Sequence, residues 1–327
     1  MGKTLSLVNV PRMSTDKQVY MQSFCEAWIA QGGCYVERKG WFNSQIVRDI
    51  LKMMAVMRFP AKKGNKAFLV CSRGGHLLKA AVPYMFQGEI IPMLWDCWPF
   101  TWNQLERDLK LIKCRLCFVT ASDVVREFSR RLPHVHFVHV PEGVDVDDYT
   151  EGKNLRERNI DVYELGAKNE YFHKKLLDGG LGSKCHRWVY SSHKPKKGLD
   201  CVYEKWETFT SVLADTKIVI SFPRCMRNPE KYGSVATLTM RYWEAMLSRC
   251  IIVGHCPQEL IEIIGYNPVV EADFVDPCKQ IEYILSHAEE YQSLVDKNFS
   301  VARQYAAWNV RMDIIFAELR GNEFFFE

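Results

Sequence analysis

The stretch Thr216–Gly265 reads TKIVISFPRCMRNPEKYGSVATLTMRYWEAMLSRCIIVGHCPQELIEIIG. Its opening apolar, β-branched run predicts a buried strand over 217–222. A polar, basic loop follows, and then a helix predicted over 237–247 and a second buried strand over 250–254. Proteins of the α/β class use this succession of strand, basic loop and helix N-terminus to bind an anionic ligand at the carboxyl ends of their strands.

Strands and helices alternate in the same way on both sides of this stretch. Further apolar strands are predicted over 4–10, 67–71, 90–95, 116–120, 135–140, 160–165, 188–191 and 269–272. The charged stretch 147–159 interrupts the pattern and is interpreted as an interdomain linker. The sequence therefore predicts an α/β fold of two Rossmann-like domains, 1–150 and 151–327, with one or two long helices over 289–319.

The composition is that of a globular protein with a large core. The chain has 327 residues, of which 47% are hydrophobic and 13% aromatic, enough for two domains. No apolar run approaches the roughly 18 residues that span a bilayer, and the first residues lack a signal-peptide cleavage site. Twelve cysteines are scattered through apolar segments, which predicts buried thiols. We therefore expect a cytoplasmic protein.

The positive charge lies in the first domain. Residues 1–150 contain 20 Lys and Arg against 14 Asp and Glu, a net +6, whereas residues 151–327 contain 23 against 25, a net −2. A basic first domain is compatible with docking on an anionic surface such as phospholipid, and equally with an ordinary solvated face. No motif of a nucleic-acid-binding module is present, so we expect no nucleic acid as partner.

Several common sites are disfavoured by the missing motifs. No GxGxxG follows the first strand, as a dinucleotide site would require, and no GxxxxGK[ST] is present for a phosphate-loop NTPase. The close pair Cys114 and Cys117 has no second pair at the spacing of a zinc site.

Three segments carry a resemblance to known enzymes. They are VPEGVD at 140–145, RNIDVYELG at 158–166, and the block from Leu213 to Val253 that contains RYWEAM at 241–246. In that order they resemble the end of the first domain, the first strand of the second domain and the donor-site block of GT-B nucleotide-sugar glycosyltransferases. The group 1 and spore-maturation-type enzymes are the most similar. The chain departs from the two-glutamate pattern of that family, since Ala236 stands where the other acidic residue is expected.

The resemblance implies a GT-B fold, in which two Rossmann-like domains face each other across a cleft and a long C-terminal helix packs back. It implies transfer of a sugar from a nucleotide-diphosphate sugar to an acceptor hydroxyl, in polysaccharide or glycolipid biosynthesis, without cofactor or metal ion. Domain 1–150 would bind a sugar or lipid-linked acceptor, domain 151–327 the nucleotide sugar, and the protein would contact the inner face of the membrane peripherally. A sugar-nucleotide epimerase and a non-catalytic sugar-nucleotide-binding protein remain as alternatives.

The donor site must neutralise the departing nucleoside diphosphate, which cationic side chains and helix N-terminal amides do. The basic loop after the strand over 217–222 offers both kinds of group, because we expect its helix to begin near 233–236. The predicted donor-binding residues of this loop are Arg224, Arg227, Lys231, Gly233 and Ser234. Solvated loop cations are the alternative interpretation of these charges.

Three further residues are assigned to the donor through the resemblance. Glu244 is expected to accept hydrogen bonds from the ribose hydroxyls, with an exposed glutamate paired to a nearby Arg as the alternative. Lys168 and His173 follow the first strand of the second domain and are expected to contact phosphate, with an ordinary helix face as the alternative. The loop 191–197 is expected to border the nucleobase.

The acceptor hydroxyl needs a general base or assistance from the donor. Asp96 is the first candidate, because it ends a buried strand and is flanked by Trp95 and Trp98. His76, after two glycines, is the second candidate, since imidazole titrates near neutral pH. A loop cap or an Arg partner is the alternative role for Asp96.

Overall fold

The chain divides into two compact units. The computed structural model describes residues 3–8, 19–37, 44–57, 65–164, 168–190 and 206–325. Unit 1 comprises Met1–Glu142, Glu230–Thr237 and Trp308–Glu327, and unit 2 comprises Gly143–Pro229 and Leu238–Ala307. Both units are of the α/β class with a parallel sheet covered by helices, so the predicted fold class is confirmed.

The described strands of unit 1 are β1 (Lys3–Val8), β2 (Tyr35–Val36), β3 (Lys66–Arg73), β4 (Glu89–Trp95), β5 (Leu116–Val119), β6 (His136–His139) and β12 (Phe324–Phe325). The described strands of unit 2 are β7 (Ile160–Glu164), β8 (Trp188–Tyr190), β9 (Thr216–Ser221), β10 (Ile251–Gly254) and β11 (Val269–Glu271). All of them pair in parallel.

The described helices of unit 1 are α1 (Val19–Ala30), α2 (Gln45–Val56), α3 (Leu77–Met85), α4 (Trp102–Leu111), α5 (Ser122–Arg131) and α15 (Trp308–Gly321). Those of unit 2 are α6 (Glu170–Asp178), α7 (Leu181–Lys184), α8 (Trp206–Ala214), α9 (Arg224–Arg227), α11 (Met240–Leu247), α12 (Gln258–Ile264), α13 (Pro277–Ser286) and α14 (Gln292–Tyr305). The short α10 (Pro229–Tyr232) begins where the chain passes from unit 2 into unit 1. None of the helices in the described ranges has the length and apolar content of a membrane span.

Unit 1 has a sheet of order β12-β1-β3-β4-β5-β6, with β2 beside β1. Its central strands are apolar runs such as LCFV in β5, which suits burial on both faces. Helices α1 and α15 cover one face, where the Phe24 ring lies edge-on to Trp95 at 5.4 Å and to Trp308 at 5.3 Å between centroids. Leu77 of α3, Leu105 of α4 and other residues of α3, α4 and α5 cover the opposite face.

The packing of α15 differs from the predicted domain division. We predict residues 151–327 as the second domain, but Trp308–Glu327 and Glu230–Thr237 lie in unit 1, and unit 2 begins at Gly143. The reason is long-range burial, because the apolar face of α15 completes a core built by the first strands of the chain. Such a contact leaves no signal in the local pattern.

Unit 2 has a sheet of order β11-β10-β9-β7-β8. The chain runs from β7 to β8 on one side and then returns to β9, β10 and β11 on the other, so the strand order reverses between β7 and β9. In open parallel sheets, ligands bind outside the carboxyl ends of the strands at such a switch point. The topology therefore predicts a ligand site at the residues that follow Glu164 and Ser221.

Candidate functional site

The segments that follow β7 and β9 are joined at the switch point of unit 2. The chain after β7 leads to Lys168 and to Asn169, which caps α6 by accepting a hydrogen bond from Phe172 N at 3.1 Å. The chain after β9 leads into α9. The Asn169 side-chain amide donates to the Met226 carbonyl oxygen of α9 at 3.1 Å, so one residue holds both segments together.

A buried ionic network lies behind this joint. Glu164 accepts a hydrogen bond from His173 Nδ1, and Lys168 Nζ lies 3.2 Å from His173 Nε2. An ammonium has donors only, so Nε2 must accept and the imidazole proton must sit on Nδ1. All three side chains are buried. The arrangement thus fixes the histidine tautomer and the position of the lysine ammonium, with a carboxylate to balance its charge.

Aromatic side chains of β8 pack against the network. Lys168 Nζ lies 4.6 Å from the ring centroid of Tyr190, a cation–π distance. The His173 ring lies 4.8 Å from that of Tyr190 and 5.3 Å from that of Trp188. These contacts restrict the motion of both side chains. Because Glu164 and Lys168 already engage both ring nitrogens of His173, the phosphate contact expected of His173 remains a prediction.

Two more cations follow β9. Arg224 and Arg227 begin and end α9, whose N-cap is Pro223, and both are half-buried. With Lys168 and His173 they form a basic group at the carboxyl ends of β7 and β9. Arginine forks bind two phosphate oxygens at once, and a lysine contributes a point charge. The geometry brings these four predicted residues into one unit and to one edge of its sheet.

The strand ends approach closely at Gly254, the last residue of β10. A Cβ atom at this position would overlap the carbonyl oxygen of Ser221, and the backbone φ is +157°. His255 N donates to the same oxygen at 3.2 Å. Glycine is therefore required for the backbone at the carboxyl edge of unit 2.

Glu244 is buried on α11 and has a perturbed pKa. Only 4% of the residue is exposed, and Tyr149 donates a hydrogen bond to its Oε1 at 3.1 Å. Burial raises the pKa of Glu244 to about 7, against the opposing effects of Arg241 and of the Tyr149 hydrogen bond. The alternative of a glutamate on an exposed helix face is wrong.

Helix α11 lies with its first turn at the carboxyl edge of the sheet. Tyr242 donates its hydroxyl hydrogen to the His255 carbonyl oxygen at 2.7 Å, directly after β10. Glu244 follows half a turn later, beneath the surface and covered by Tyr149. The ribose contact of Glu244 remains a prediction.

The helix expected to begin near 233–236 begins later. Helix α11 starts at Met240 with Thr239 as its N-cap, so the predicted helix N-terminal amides at 233–236 are wrong. The segment Glu230–Thr237 packs in unit 1 instead, where Val235 enters the core and the Tyr232 ring lies 4.9 Å from that of Trp98.

Three predicted donor-binding residues lie on this segment of unit 1. Lys231 Nζ lies 5.3 Å from the ring centroid of Phe100. Gly233 has a φ of +60°, and a Cβ atom there would lie 3.0 Å from Pro99 Cγ, which explains the glycine by its own turn. Ser234 is exposed. Their contact with a donor remains a prediction.

The two candidates for the general base lie in unit 1, at the carboxyl ends of neighbouring strands. Asp96 follows β4 with a φ of +51°, unusual for a residue other than glycine. Its Oδ2 lies 3.4 Å from Nε of Arg73, the last residue of β3. His76 is exposed at the start of α3. Backbone strain at a strand end is typical of functional sites.

Asp96 pairs with an arginine, and its two tryptophan neighbours in the sequence belong to the two cores of unit 1. Trp95 points into the core that α1 and α15 complete, and Trp98 is buried beside Tyr232. The Asp96 side chain is one-fifth exposed and lies beside the Arg73 guanidinium. The alternative of an Arg partner therefore describes the ion pair that Asp96 forms, and its role as general base remains a prediction.

Sequence reasoning missed several partners of the predicted residues. They are Glu164, Asn169, Tyr190, Tyr149 and Arg73. The loop 191–197, expected to border the nucleobase, lies outside the described residues. Within the described ranges, no three His, Cys, Asp or Glu side chains come together as metal ligands would.

No protein-family model and no curated protein matches this sequence, but solved structures do. Sucrose-phosphate synthase from Thermosynechococcus elongatus is similar with a TM-score of 0.64 at 10% identity, over 98% of this chain and 100% of that one. HepE from Anabaena, solved with UDP-glucose, is similar with a TM-score of 0.60 at 8% identity, over 98% and 100%. The chain has the GT-B fold.

A third structure agrees with this fold. A glycosyltransferase from Rickettsia africae is similar with a TM-score of 0.55 at 10% identity, over 98% of both chains. The predicted GT-B architecture is thereby confirmed over nearly the whole chain. Identities this low establish the fold, and the activity must be argued from the residues of this chain.

Proposed function

We propose that this protein is a glycosyltransferase that moves a sugar from a nucleotide-diphosphate sugar to the hydroxyl of a sugar or lipid-linked acceptor, in polysaccharide or glycolipid biosynthesis. The observation that carries the proposal is the basic group at the switch point of unit 2. There Asn169 joins the segment of Lys168 and His173 to the turn that holds Arg224 and Arg227. Structural neighbours solved with UDP-glucose or UDP support the choice of donor class.

The proposed reaction breaks the bond between the anomeric carbon and the phosphate oxygen. The bonding electron pair stays on the departing nucleoside diphosphate, and the acceptor oxygen forms the new bond to the anomeric carbon. We assign charge neutralisation on the leaving group to Lys168, Arg224 and Arg227, in place of a metal ion. Their attraction grows as the phosphate gains charge, which lowers the barrier of the transfer.

We assign the ribose to Glu244 and the acceptor proton to a residue of unit 1. A carboxylate accepts from two neighbouring hydroxyls, and these charge-assisted bonds also favour its ionised form. Asp96 is the proposed general base, with His76 as the alternative. Lys231, Gly233 and Ser234 are retained as donor contacts made from the segment Glu230–Thr237.

Calorimetric titration with UDP, GDP and CDP tests the donor site, using Lys168→Met and the control Lys174→Met. Both lysines belong to the segment of α6, but the Lys174 side chain is 71% exposed and forms an ion pair with the exposed Asp178. We expect Lys168→Met to weaken the preferred diphosphate about 30-fold or more, and the control to change it less than twofold. Equal affinities for the two variants would refute the site.

Product analysis distinguishes transfer from the two alternatives. The proposed enzyme releases nucleoside diphosphate from a nucleotide sugar, slowly to water and faster when an acceptor is present. An epimerase would return an isomeric nucleotide sugar without any acceptor. A binding protein would release no diphosphate above the uncatalysed rate, and either of these results would contradict the proposed reaction.

A further inference from the structure

The loop 96–101 of unit 1 joins β4 to α4 and begins with Asp96, the proposed general base. Asp96 has a φ of +51°, and its carbonyl oxygen accepts a hydrogen bond from Trp98 N at 3.1 Å. A residue other than glycine keeps such a backbone only where its surroundings hold it there. The contacts made by this loop therefore determine where the Asp96 carboxylate lies.

The two glycines before His76 lie against this loop. A Cβ atom at Gly74 would lie 3.0 Å from Cys97 Cα, and one at Gly75 would lie 3.2 Å from Thr101 Cγ2. The absence of a side chain at both positions lets the backbone come this close. His76 is the alternative base, so both candidates lie in or beside the loop and depend on its position.

Tyr232 contacts the same loop from the segment Glu230–Thr237. Its ring lies edge-on to Trp98 at 4.9 Å and to Phe100 at 6.4 Å between centroids. Trp98 is buried in the core that α3, α4 and α5 cover, and Tyr232 packs against that core as a half-buried side chain. Edge-on aromatic pairs stabilise beyond the area that they bury. Tyr232 therefore holds a residue that lies two positions after Asp96.

The residues on either side of Tyr232 add to this contact. Lys231 Nζ lies 5.3 Å from the ring centroid of Phe100 and 5.4 Å from that of Tyr232. Gly233 lies so near Pro99 that a Cβ atom would be 3.0 Å from Pro99 Cγ. Three successive residues of the segment thus meet three successive residues of the loop.

Two hydrogen bonds hold the end of the segment Glu230–Thr237 on unit 1. Thr237 Oγ1 donates to the Thr120 carbonyl oxygen at 3.2 Å, directly after β5. Ala236 N donates to Asp123 Oδ2 in the first turn of α5 at 3.4 Å. The segment is therefore fixed to the sheet whose strand β4 leads into the loop of the base.

The same segment is flanked in the chain by residues that are assigned to the donor. It begins three residues after Arg227 and ends seven residues before Glu244. The flanks carry the proposed diphosphate and ribose contacts, while the Tyr232 ring between them packs on the loop of the base. One stretch of chain therefore carries donor residues at its flanks and a contact to the base loop within it.

We infer that Tyr232 is a positioning residue of the transfer reaction. Its ring holds Trp98 and, through it, the loop 96–101 with the general base, and it takes no part in the chemistry itself. The inference rests on the proposed function, because a base must be placed only where an acceptor hydroxyl is deprotonated. A displacement of a reacting group by about 1 Å is enough to lower a rate about 100-fold.

Transfer kinetics of Tyr232→Leu and Tyr232→Phe test the inference. Leucine removes the ring, whereas phenylalanine keeps it and its edge-on contact to Trp98. We expect Tyr232→Leu to lower kcat about 30-fold or more, Tyr232→Phe to keep kcat within about twofold, and both to change the Kd for UDP less than about twofold. The control Tyr291→Leu removes a half-buried tyrosine from a core of unit 2 and should leave kcat unchanged. Wild-type kcat in Tyr232→Leu would overturn the inference, and so would a loss of UDP affinity as large as the loss of kcat.

A double-variant cycle separates positioning of the base from a general loosening of the fold. In a chain that already lacks the base, as Asp96→Asn or His76→Gln, no base remains for Tyr232 to position. Adding Tyr232→Leu to that variant is expected to lower kcat less than about threefold. A further loss as large as that in the wild-type chain would show that Tyr232 acts independently of the base, which would overturn the inference.

Amide hydrogen exchange of the ligand-free chain distinguishes failure of the inference from failure of the proposed function. Tyr232→Leu is expected to speed exchange at 96–101 about tenfold or more, while Tyr232→Phe and Tyr291→Leu leave it unchanged. A wild type that releases no diphosphate from nucleotide sugars refutes the proposed function and the inference with it. A wild type that releases diphosphate, with exchange at 96–101 unchanged in Tyr232→Leu, refutes the inference alone. Tyr232→Met, whose flexible side chain adapts to the space, replaces Tyr232→Leu in every experiment if the leucine variant does not fold.

Discussion

The carboxyl ends of the two sheets are built differently. In unit 2, Lys168 and His173 are buried with Glu164, and the basic group is held in place by hydrogen bonds. In unit 1, Asp96 is partly exposed and His76 is exposed, and Asp96 owes its position to a backbone φ of +51°. The first arrangement suits tight binding of a charged ligand, and the second suits a group that must exchange protons with its surroundings.

The largest expected effect tests the chemical role of unit 1. Asp96→Asn is expected to lower kcat about 100-fold or more while the Kd for the nucleoside diphosphate changes less than twofold. Asparagine tolerates the left-handed backbone, so the turn should persist. Steady-state kinetics and calorimetry on the same preparation measure the two quantities.

Asp313→Asn on the exposed side of α15 is the matched control for Asp96→Asn, and its kcat should remain unchanged. A loss of the same size in His76→Gln and none in Asp96→Asn would transfer the role of general base to the histidine. If neither variant lowers kcat, the assignment of chemistry to unit 1 is refuted.

The second prediction breaks the ionic network of unit 2. Glu164→Gln leaves the buried Lys168 without its balancing carboxylate, so the free energy of unfolding should fall by about 3 kcal/mol. Urea unfolding measures the change. Asp178→Asn breaks the exposed pair with Lys174 and should cost about 0.5 kcal/mol or less. If Glu164→Gln and Asp178→Asn lowered the free energy of unfolding equally, the network of Glu164, His173 and Lys168 would not be a buried ionic structure.

The third prediction concerns the pH dependence that Glu244 confers. Burial raises its pKa to about 7, above the 4.5 of an unperturbed glutamate. The folded state therefore favours the protonated form, and its stability advantage is complete below pH 4.5 and is lost as the pH rises through 7. At pH 8 the free energy of unfolding of Glu244→Gln should exceed that of the wild type by roughly 3 kcal/mol, and at pH 4 the two should be equal.

The same residue links protons to ligand binding. If ribose hydroxyls donate to Glu244, UDP binding favours the carboxylate and must release protons near pH 7. Wild-type affinity should then rise between pH 6 and pH 8, and Glu244→Gln should lose the rise. Calorimetry in buffers of different ionisation enthalpy counts the protons, and a count of zero for the wild type would contradict the ribose contact.

The smallest expected effect lies in the segment Glu230–Thr237. Gly233→Ala places a side chain at a φ of +60°, beside Pro99, and should lower the free energy of unfolding by about 1 kcal/mol. Gly321→Ala meets open space and should cost nothing. A Gly233→Ala variant as stable as wild type would show that the turn can rearrange.

The strands were predictable because most are apolar, β-branched runs buried on both faces of a parallel sheet. Helix α3 was not, since LLKAAVPYM carries Pro83, which argues against a helix interior. The late start of α11 was missed for another reason. A basic loop with a glycine fits a helix N-terminus locally, whereas the burial of Val235 in unit 1 is decided by distant residues.

The sequence was sufficient to predict the cationic residues of the site, but it was not sufficient to predict the residues that pair with them. Lys168 and His173 follow from their place after a strand. The role of Glu164 was missed because the residue was interpreted only as part of a strand. The available signal was that a strand buried on both faces cannot hold an unpaired carboxylate, so Glu164 must have a partner. Tyr149 lies 95 residues before Glu244, so only the folded chain brings them together.

A crystal structure of the protein with UDP tests the central claim most directly. We predict the diphosphate at the switch point of unit 2, with its oxygens about 3 Å from Lys168 Nζ and from the guanidinium of Arg224 or Arg227. The ribose hydroxyls should lie within the same distance of Glu244. A diphosphate bound elsewhere in the chain, with no contact to Lys168, would contradict the account.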